Sequence, residues 1–244
     1  MSSEALQSDP VPRPSSGRAE RLSAEDRRDQ ILQEAMGCFA ELGFRGTTTR
    51  VLAERVGISE AALYRYFRSK ESLYAAIIDR KMSAPDLAES LRPAAERRDD
   101  EAVLRGIARG ILARVDEDPG FLRLLMYTAL EGHSLCQPFF SSRVRRLRTF
   151  VTDYVARRIE EGAFRVVDPD SASRAFLGMV FDHLNMRHII CEESARSRPL
   201  DEVADTFVEI FLGGMRRHPA SLDPDPPAGN PRGADPFIQE GTRS

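Results

Sequence analysis

Two short helices separated by a forced turn are written into residues 47–70, and nothing else limits the fold of this chain as strongly. Leu52, Ala53 and Val56 recur at helical spacing and give the first helix one apolar stripe. Gly57 stops that helix, because a residue without a Cβ adopts the left-handed conformation at little cost. Ile58 plugs the turn, and Ser59 is suited to cap the second helix. In that second helix Leu63 and Phe67 lie one turn apart and face inward. Rotation by about 100° per residue then turns Ala61, Ala62 and Arg65 outward, with Tyr64 and Tyr66 on the flanks. A short apolar-backed helix that presents small side chains, an arginine and two tyrosines suits the major groove of duplex DNA. The spacing predicts a recognition helix.

Charge supports that reading only locally. A net charge of −3 excludes a uniformly basic nucleic-acid binder, yet steering depends on where charge sits. Across the stretch Arg45, Arg50, Arg55, Arg65, Arg68 and Lys70 face only Glu54 and Glu60. With 244 residues, 41% of them hydrophobic and 30% charged, the chain can bury a full core in one or two domains. Cys38, Cys136 and Cys191 are odd in number and lack zinc spacing, so free thiols in a reduced compartment are expected. No apolar run approaches the ~20 residues of a spanning helix. The start of the chain also lacks the apolar core of a signal peptide. These features predict a cytoplasmic protein without a membrane segment.

Along the rest of the chain only helical periods occur. Residues 1–22, with three prolines and several serines, read as a disordered arm. Its Arg13, Arg18 and Arg21 are either simply solvated or follow a DNA backbone. Ser23 and the acids after it cap a first helix that buries Ile31, Leu32, Ala35, Phe39 and Leu42 and ends at Gly43. A fourth helix starts at Ser69-Lys70-Glu71-Ser72 and runs towards Leu91, kinked or divided at Pro85. Arg92-Pro93 and the charged run to Asp100 predict a break.

Further helices are expected over 102–115, 121–130 and 139–161, then from 168 to a break at Arg198-Pro199, and from 201 to 215. The segment 132–138 reads as a loop, and 218–244, rich in proline, glycine and acids, as a disordered tail. The expected fold is all-α. Residues 23–84 form a three-helix helix-turn-helix domain and residues 85–217 a helical effector-binding and dimerisation domain.

The stretch 47–70 resembles the DNA-binding domain of the TetR family of transcriptional regulators, over roughly residues 23–84. The likeness is carried by Thr47-Thr48-Thr49-Arg50, by Ala53-Glu54 ahead of Val56-Gly57-Ile58-Ser59, and by Leu63-Tyr64-Arg65-Tyr66-Phe67-Arg68-Ser69-Lys70-Glu71-Ser72-Leu73. Beyond residue 84 it extends only to architecture, a helical body that dimerises and holds a ligand. The resemblance implies that Thr48 and Thr49 bond to phosphates, Thr48 also capping its helix. It implies that Arg50 reaches a guanine or a phosphate and that Tyr64 and Tyr66 touch the groove edge. Lys70 resembles the family's DNA-backbone clamp.

The sequence also departs from the family. Ala61 and Ala62 stand where many relatives carry Gly, Pro or Thr, so a hydroxyl contact is missing. Glu60, beside Ser59 at the groove entrance, repels phosphate unless it accepts from a cytosine amino group. Arg65 is left as the main base reader, with a preference for guanine.

The second half is less specific. Phe121, Leu125, Met126, Leu130, Phe150, Tyr154, Phe176, Met179 and His183 either line a cavity for a largely apolar effector or are simply core. Glu131, His133 or His183 would supply its polar point. The last two long helices are rich in Phe, Met and Ala, as a homodimer interface would be, and a palindromic operator requires a two-fold protein. His188 and Cys191 fall on one helical face, but two ligands are too few for a metal site. No cofactor is expected. No nucleophile–base pair, phosphate loop or carboxylate pair stands out, so an enzyme is not expected. The rival reading is an all-α carrier or enzyme with a vestigial DNA-binding head.

Overall fold

A computed structural model describes residues 23–217; the expected arm at 1–22 and tail at 218–244 lie outside the described residues. α1 (Ala24–Gly46) begins at Ser23, whose hydroxyl accepts from the Asp26 amide at 3.0 Å while Asp26 accepts from the Ser23 amide. Its helical path is interrupted at Gly43, where φ is +71°. Leu42 is 46% exposed, against the expectation that it is buried, and beyond the break Phe44 is buried. α2 (Thr49–Val56) is capped by Thr48 and closed by Gly57 at φ +74°. α3 (Glu60–Tyr66) is capped by Ser59, and α4 (Lys70–Met82) by the reciprocal pair Ser69 and Ser72.

Pro85 falls in a true break between α4 and α5 (Leu87–Glu96). The break expected at Pro93 does not occur. α5 runs through Pro93, and the chain turns only afterwards, where Arg98 takes φ +59°. An interior proline costs a helix about 3 kcal/mol, and close packing offsets it. Leu91 and Leu87 seat against Gly106 and Gly110 of α6 (Asp100–Glu117), where added Cβ atoms would come within 2.4 and 2.6 Å of the leucine methyls. Ala94 and Ala95 are buried in the same contact.

α7 (Pro119–Leu130) comes directly after α6, with Asp118 as its cap. The expected loop after it contains a 3-10 turn, Ser134–Cys136, and the single turn α8 (Gln137–Phe139). The long helix expected over 139–161 instead begins with a widened π turn, Phe140–Val144, before α9 (Arg145–Glu160). α10 (Pro169–Asn185) ends in a second widened turn, Met186–Ile190, and is succeeded by α11 (Glu193–Ser197) and α12 (Leu200–Met215). Among the described residues there is no β-strand, only one isolated bridge between Phe164 and Arg216.

Two apolar cores result. One joins α5, α6, α9, α10 and α12 around Leu104, Ile107, Tyr154, Phe176 and Phe211. The other holds α1 to α4 around Phe39, Leu52, Leu63, Phe67 and Tyr74. The second core also takes Leu124 and Leu125 from α7 and Cys136 beyond it. Packing therefore crosses the expected boundary at residue 84, and α7 ties the first unit to the second.

Candidate nucleic-acid interface and its anchoring

α3 is held from behind. Leu63 and Phe67 are buried in the first core, and the Arg28 guanidinium lies 4.8 Å from the Phe67 ring centre. On the free side Ala61, Tyr64 and Arg65 are exposed, while Ala62 and Tyr66 are partly buried and Tyr66 packs on the core. Arg65 and Arg68 have no carboxylate within 4 Å among the described residues, so their charge faces solvent.

Neighbouring groups are partly committed. The Thr49 hydroxyl donates to Glu60 at 2.8 Å, which fixes the carboxylate at the α2–α3 junction. Thr48 accepts from the Val51 amide at 3.2 Å. Arg50 pairs with Glu54 at 2.9 Å, but both side chains are largely exposed. Such a pair is worth ~0–1 kcal/mol, so Arg50 can leave it for a phosphate at small cost. Arg55 is different. It forms a two-pronged pair with Glu41 at 2.7 and 2.8 Å and faces α1 rather than a ligand. The local excess of basic groups is smaller than the sequence alone indicates.

Lys70 departs from the phosphate-clamp expectation. Its ammonium donates to the Phe44 carbonyl at 2.6 Å and the Thr47 carbonyl at 2.9 Å, and lies 4.2 Å from the Phe44 ring centre. Two of its three N–H donors are thereby used inside the protein. Both carbonyls lie in the short connection between the Gly43 break and the cap of α2, where no helical amide takes them. The amides freed by the same break find Glu131, the residue that ends α7. Its carboxylate accepts from the Phe44 amide at 3.1 Å and the Arg45 amide at 3.3 Å. A Cβ at position 43 would stand 2.6 Å from Glu131 Oε1, so glycine is needed there for space as well as for φ. Thr47, buried, adds hydroxyl bonds to the Gly43 and Cys38 carbonyls at 2.7 and 3.2 Å. His133 completes the node with an edge contact to Phe44, ring centres 4.9 Å apart. Burial in the adjoining core pushes the Tyr74 phenol up to about 12.

Glu131 and His133 therefore belong to this joint. The nine expected pocket residues do not enclose one cavity. Tyr154, Phe176, Phe150, Met126 and Met179 belong to the larger core, Phe121 and Leu125 to the first, and Leu130 is 81% exposed. His183 packs near Phe207, and burial lowers its pKa. Alternating sides of α7 face different cores, a split that helical periodicity alone does not reveal. A cavity of about 530 Å³ lies elsewhere, between α5 and α9, and shares only Phe150 and Tyr154 with the expected set. Its walls carry Arg92, Arg145 and Arg146 and are not predominantly apolar.

The three cysteines are unpaired; Cys38 and Cys136 are buried and Cys191 is exposed. Cys191 sits at φ +62° after the widened turn, so it does not continue the helical face of His188. His188 instead lies 3.3 Å from Asp116. Among the described residues no three His, Cys, Asp or Glu side chains gather to hold a metal, and no helix is long and apolar enough to cross a membrane.

This architecture agrees with known proteins. Residues 31–77 match the family described as bacterial regulatory proteins, tetR family, and residues 102–214 match the C-terminal domain of AefR-like transcriptional repressors. The chain is 30% identical over 183 residues to the HTH-type transcriptional repressor Rv1474c of Mycobacterium tuberculosis, covering 75% of this chain and 92% of that protein. It is 32% identical over 116 residues to the nucleoid occlusion factor SlmA of Glaesserella parasuis, covering 47% of this chain and about half, 54%, of that relative's length. The crystal structure of PfmR, a TetR family transcriptional regulator from Thermus thermophilus, superposes with a TM-score of 0.61 at 25% identity, over 77% of this chain and 99% of PfmR. An all-α chain with a helix-turn-helix head, a helical second domain and these likenesses belongs to the TetR family of DNA-binding transcriptional regulators.

Proposed function

We propose that this regulator is a cytoplasmic, ligand-responsive repressor that binds a palindromic operator as a homodimer and catalyses no reaction. The observation that carries the reading is α3: Leu63 and Phe67 anchor it while Ala61, Tyr64 and Arg65 stand free. Arg65 reads a guanine, and Tyr64, Tyr66, Thr48, Thr49 and Arg50 meet the phosphates and groove edge. Ser59, Glu60, Ala61 and Ala62 line the approach. Lys70 contributes by holding the 43–47 segment.

For the dimer, Phe181 and Ile210 are large apolar residues left 44% and 59% exposed on α10 and α12. Gly178, Gly213 and Gly214 on the same two helices leave open space beside their backbone, which favours close helix approach by a second copy. Pairing there sets the two recognition helices, which must lie about 34–36 Å apart to enter successive major grooves. A ligand that favours another spacing lowers operator affinity.

Titration of the upstream region of the regulated gene, monitored by mobility shift, tests the reading. Binding is expected to fall steeply with salt. Arg65→Ala is expected to lose ~1–3 kcal/mol of discrimination at one base position and little affinity elsewhere. Uniform weakening across all sequences would remove the assignment of Arg65.

A further inference from the structure

α5 and α9 run side by side in the same direction. Asp86, ahead of α5, meets Arg146 at one end, and Asp100, at the start of α6, meets Tyr154 and Arg158 at the other. The cavity of about 530 Å³ lies between them, and its ends differ in charge. At the Asp86 end stand Arg145, Arg146 and the hydroxyls of Ser141 and Ser142. Glu89 is nearby but already paired with Arg92 at 2.6 Å. Among the described residues Arg145 has no carboxylate within 4 Å. Ala88, Ala95 and Phe150 give the middle an apolar lining, and the far end carries Glu96, Asp153 and one cation, Arg157.

Arg146 belongs to two structures at once. It lines the cavity, and its Nη1 lies 2.8 Å from Asp86 Oδ2. Asp86 in turn caps α5, accepting from the Ala88 amide at 3.0 Å, and ends the break between α4 and α5. Two more arginines hold that break. Arg143 donates to the Met82 and Ala84 carbonyls, and Arg114 to the Pro85 carbonyl at 2.9 Å. An anion in the cavity competes with Asp86 for Arg146, and α4 carries the consequence to the DNA-binding unit.

We propose that the α5–α9 groove binds an organic anion, a carboxylate or phosphate ester on a short apolar body, and that Arg146 couples occupancy to the α4–α5 hinge by leaving Asp86. The ligand lies with its charge at Arg145 and Arg146, because the two carboxylates of Glu96 and Asp153 outnumber the one cation, Arg157, at the other end. The coupling rests on the ligand-responsive reading above; the binding rests on the groove alone.

The full chain is titrated calorimetrically, without DNA, with sodium octanoate, octyl phosphate and the neutral control octanol. Saturable binding of at least one anion and none of octanol is expected, and the tighter anion identifies the headgroup. Arg145→Ala is expected to weaken binding about tenfold, the loss of one charge-assisted contact, at unchanged melting temperature. Asp86→Asn keeps a good helix cap but frees Arg146. It is expected to bind the anion several-fold tighter and the operator several-fold more weakly without any anion. A purely structural Asp86 would leave anion affinity unchanged or lower it.

No saturable anion binding up to the solubility limit, octanol binding as tight as the anions, or unchanged binding by Arg145→Ala overturns the site. Anion binding that leaves operator affinity constant, in the parent and in Asp86→Asn, overturns the coupling while the site stands.

Discussion

The two breaks that flank the reach of α4, at residues 43–47 and 83–86, are held by the same kinds of bond, carboxylate to amide and cation to carbonyl, in different settings. At the first, a carboxylate from α7 takes the freed amides and a lysine from α4 takes the freed carbonyls, all against buried aromatic rings. At the second, three arginines take carbonyls and a carboxylate; Asp86 and Arg143 are largely buried there, and Arg146 remains 60% exposed. Charged groups bonded to main chain beside a packed core resist exchange with water, whereas exposed ion pairs contribute little and yield to salt or to a competing ion. In the coupling proposed above, the first joint acts as a weld and the second as an adjustable hinge. A regulator needs both: a recognition helix that keeps its shape and a linker that shifts its direction.

The largest expected effect breaks the weld. Glu131→Ala strands the part-buried Phe44 amide and leaves the exposed Arg45 amide to water, and a loss of ~1–3 kcal/mol is expected in denaturant unfolding. Glu131→Gln keeps an acceptor and should lose clearly less. If both variants melt like the parent, the weld is not a stability element.

Lys70→Met comes next. It keeps the apolar stem over Phe44 but leaves two carbonyls without a charged donor, with ~1–2 kcal/mol of stability expected to be lost. Operator binding should then fall through the displaced 43–47 segment, and the slope of affinity against salt should hardly change. A slope smaller by about one counterion would instead mark Lys70 as a phosphate contact.

The smallest effect concerns the hinge and acid. Burial opposes ionisation of Asp86, yet Arg146, the Ala88 amide and Arg143 together hold its carboxyl below the usual range. A depressed folded-state pKa means that the group stabilises the fold above its unfolded value, near 3.9, and loses that contribution as pH falls through the folded value. The stability difference between the parent and Asp86→Asn is therefore expected at neutral pH and should shrink progressively below about pH 4. A constant difference down to pH 3 would contradict the ion-paired hinge.

Much of the DNA-binding unit was legible in the sequence because its signals are local. Ser23, Thr48, Ser59 and Ser69 cap their helices, and Gly57 ends its helix in a left-handed turn, each through bonds to residues a few positions away. The outward set on α3 results from burial of Leu63 and Phe67, one turn apart. The departures from local expectation share one cause, partners far along the chain. Pro93 stays helical because Gly106 and Gly110 admit Leu91 and Leu87. The expected pocket divides because α7 serves two cores. Lys70 turns inward because a break 27 residues earlier offers it carbonyls.

The sequence by itself determined the helical elements, the turn at Gly57 and the side chains presented by α3, since capping, periodicity and glycine conformation act within one or two turns. Only the tertiary structure decided which charges remain free. Glu131 is spent on amides 86 and 87 residues away, Arg55 on Glu41, and Arg146 is divided between the hinge and the groove. Charge is long-ranged and finds its partner by proximity in space, and that proximity is set by how the two cores close around α7.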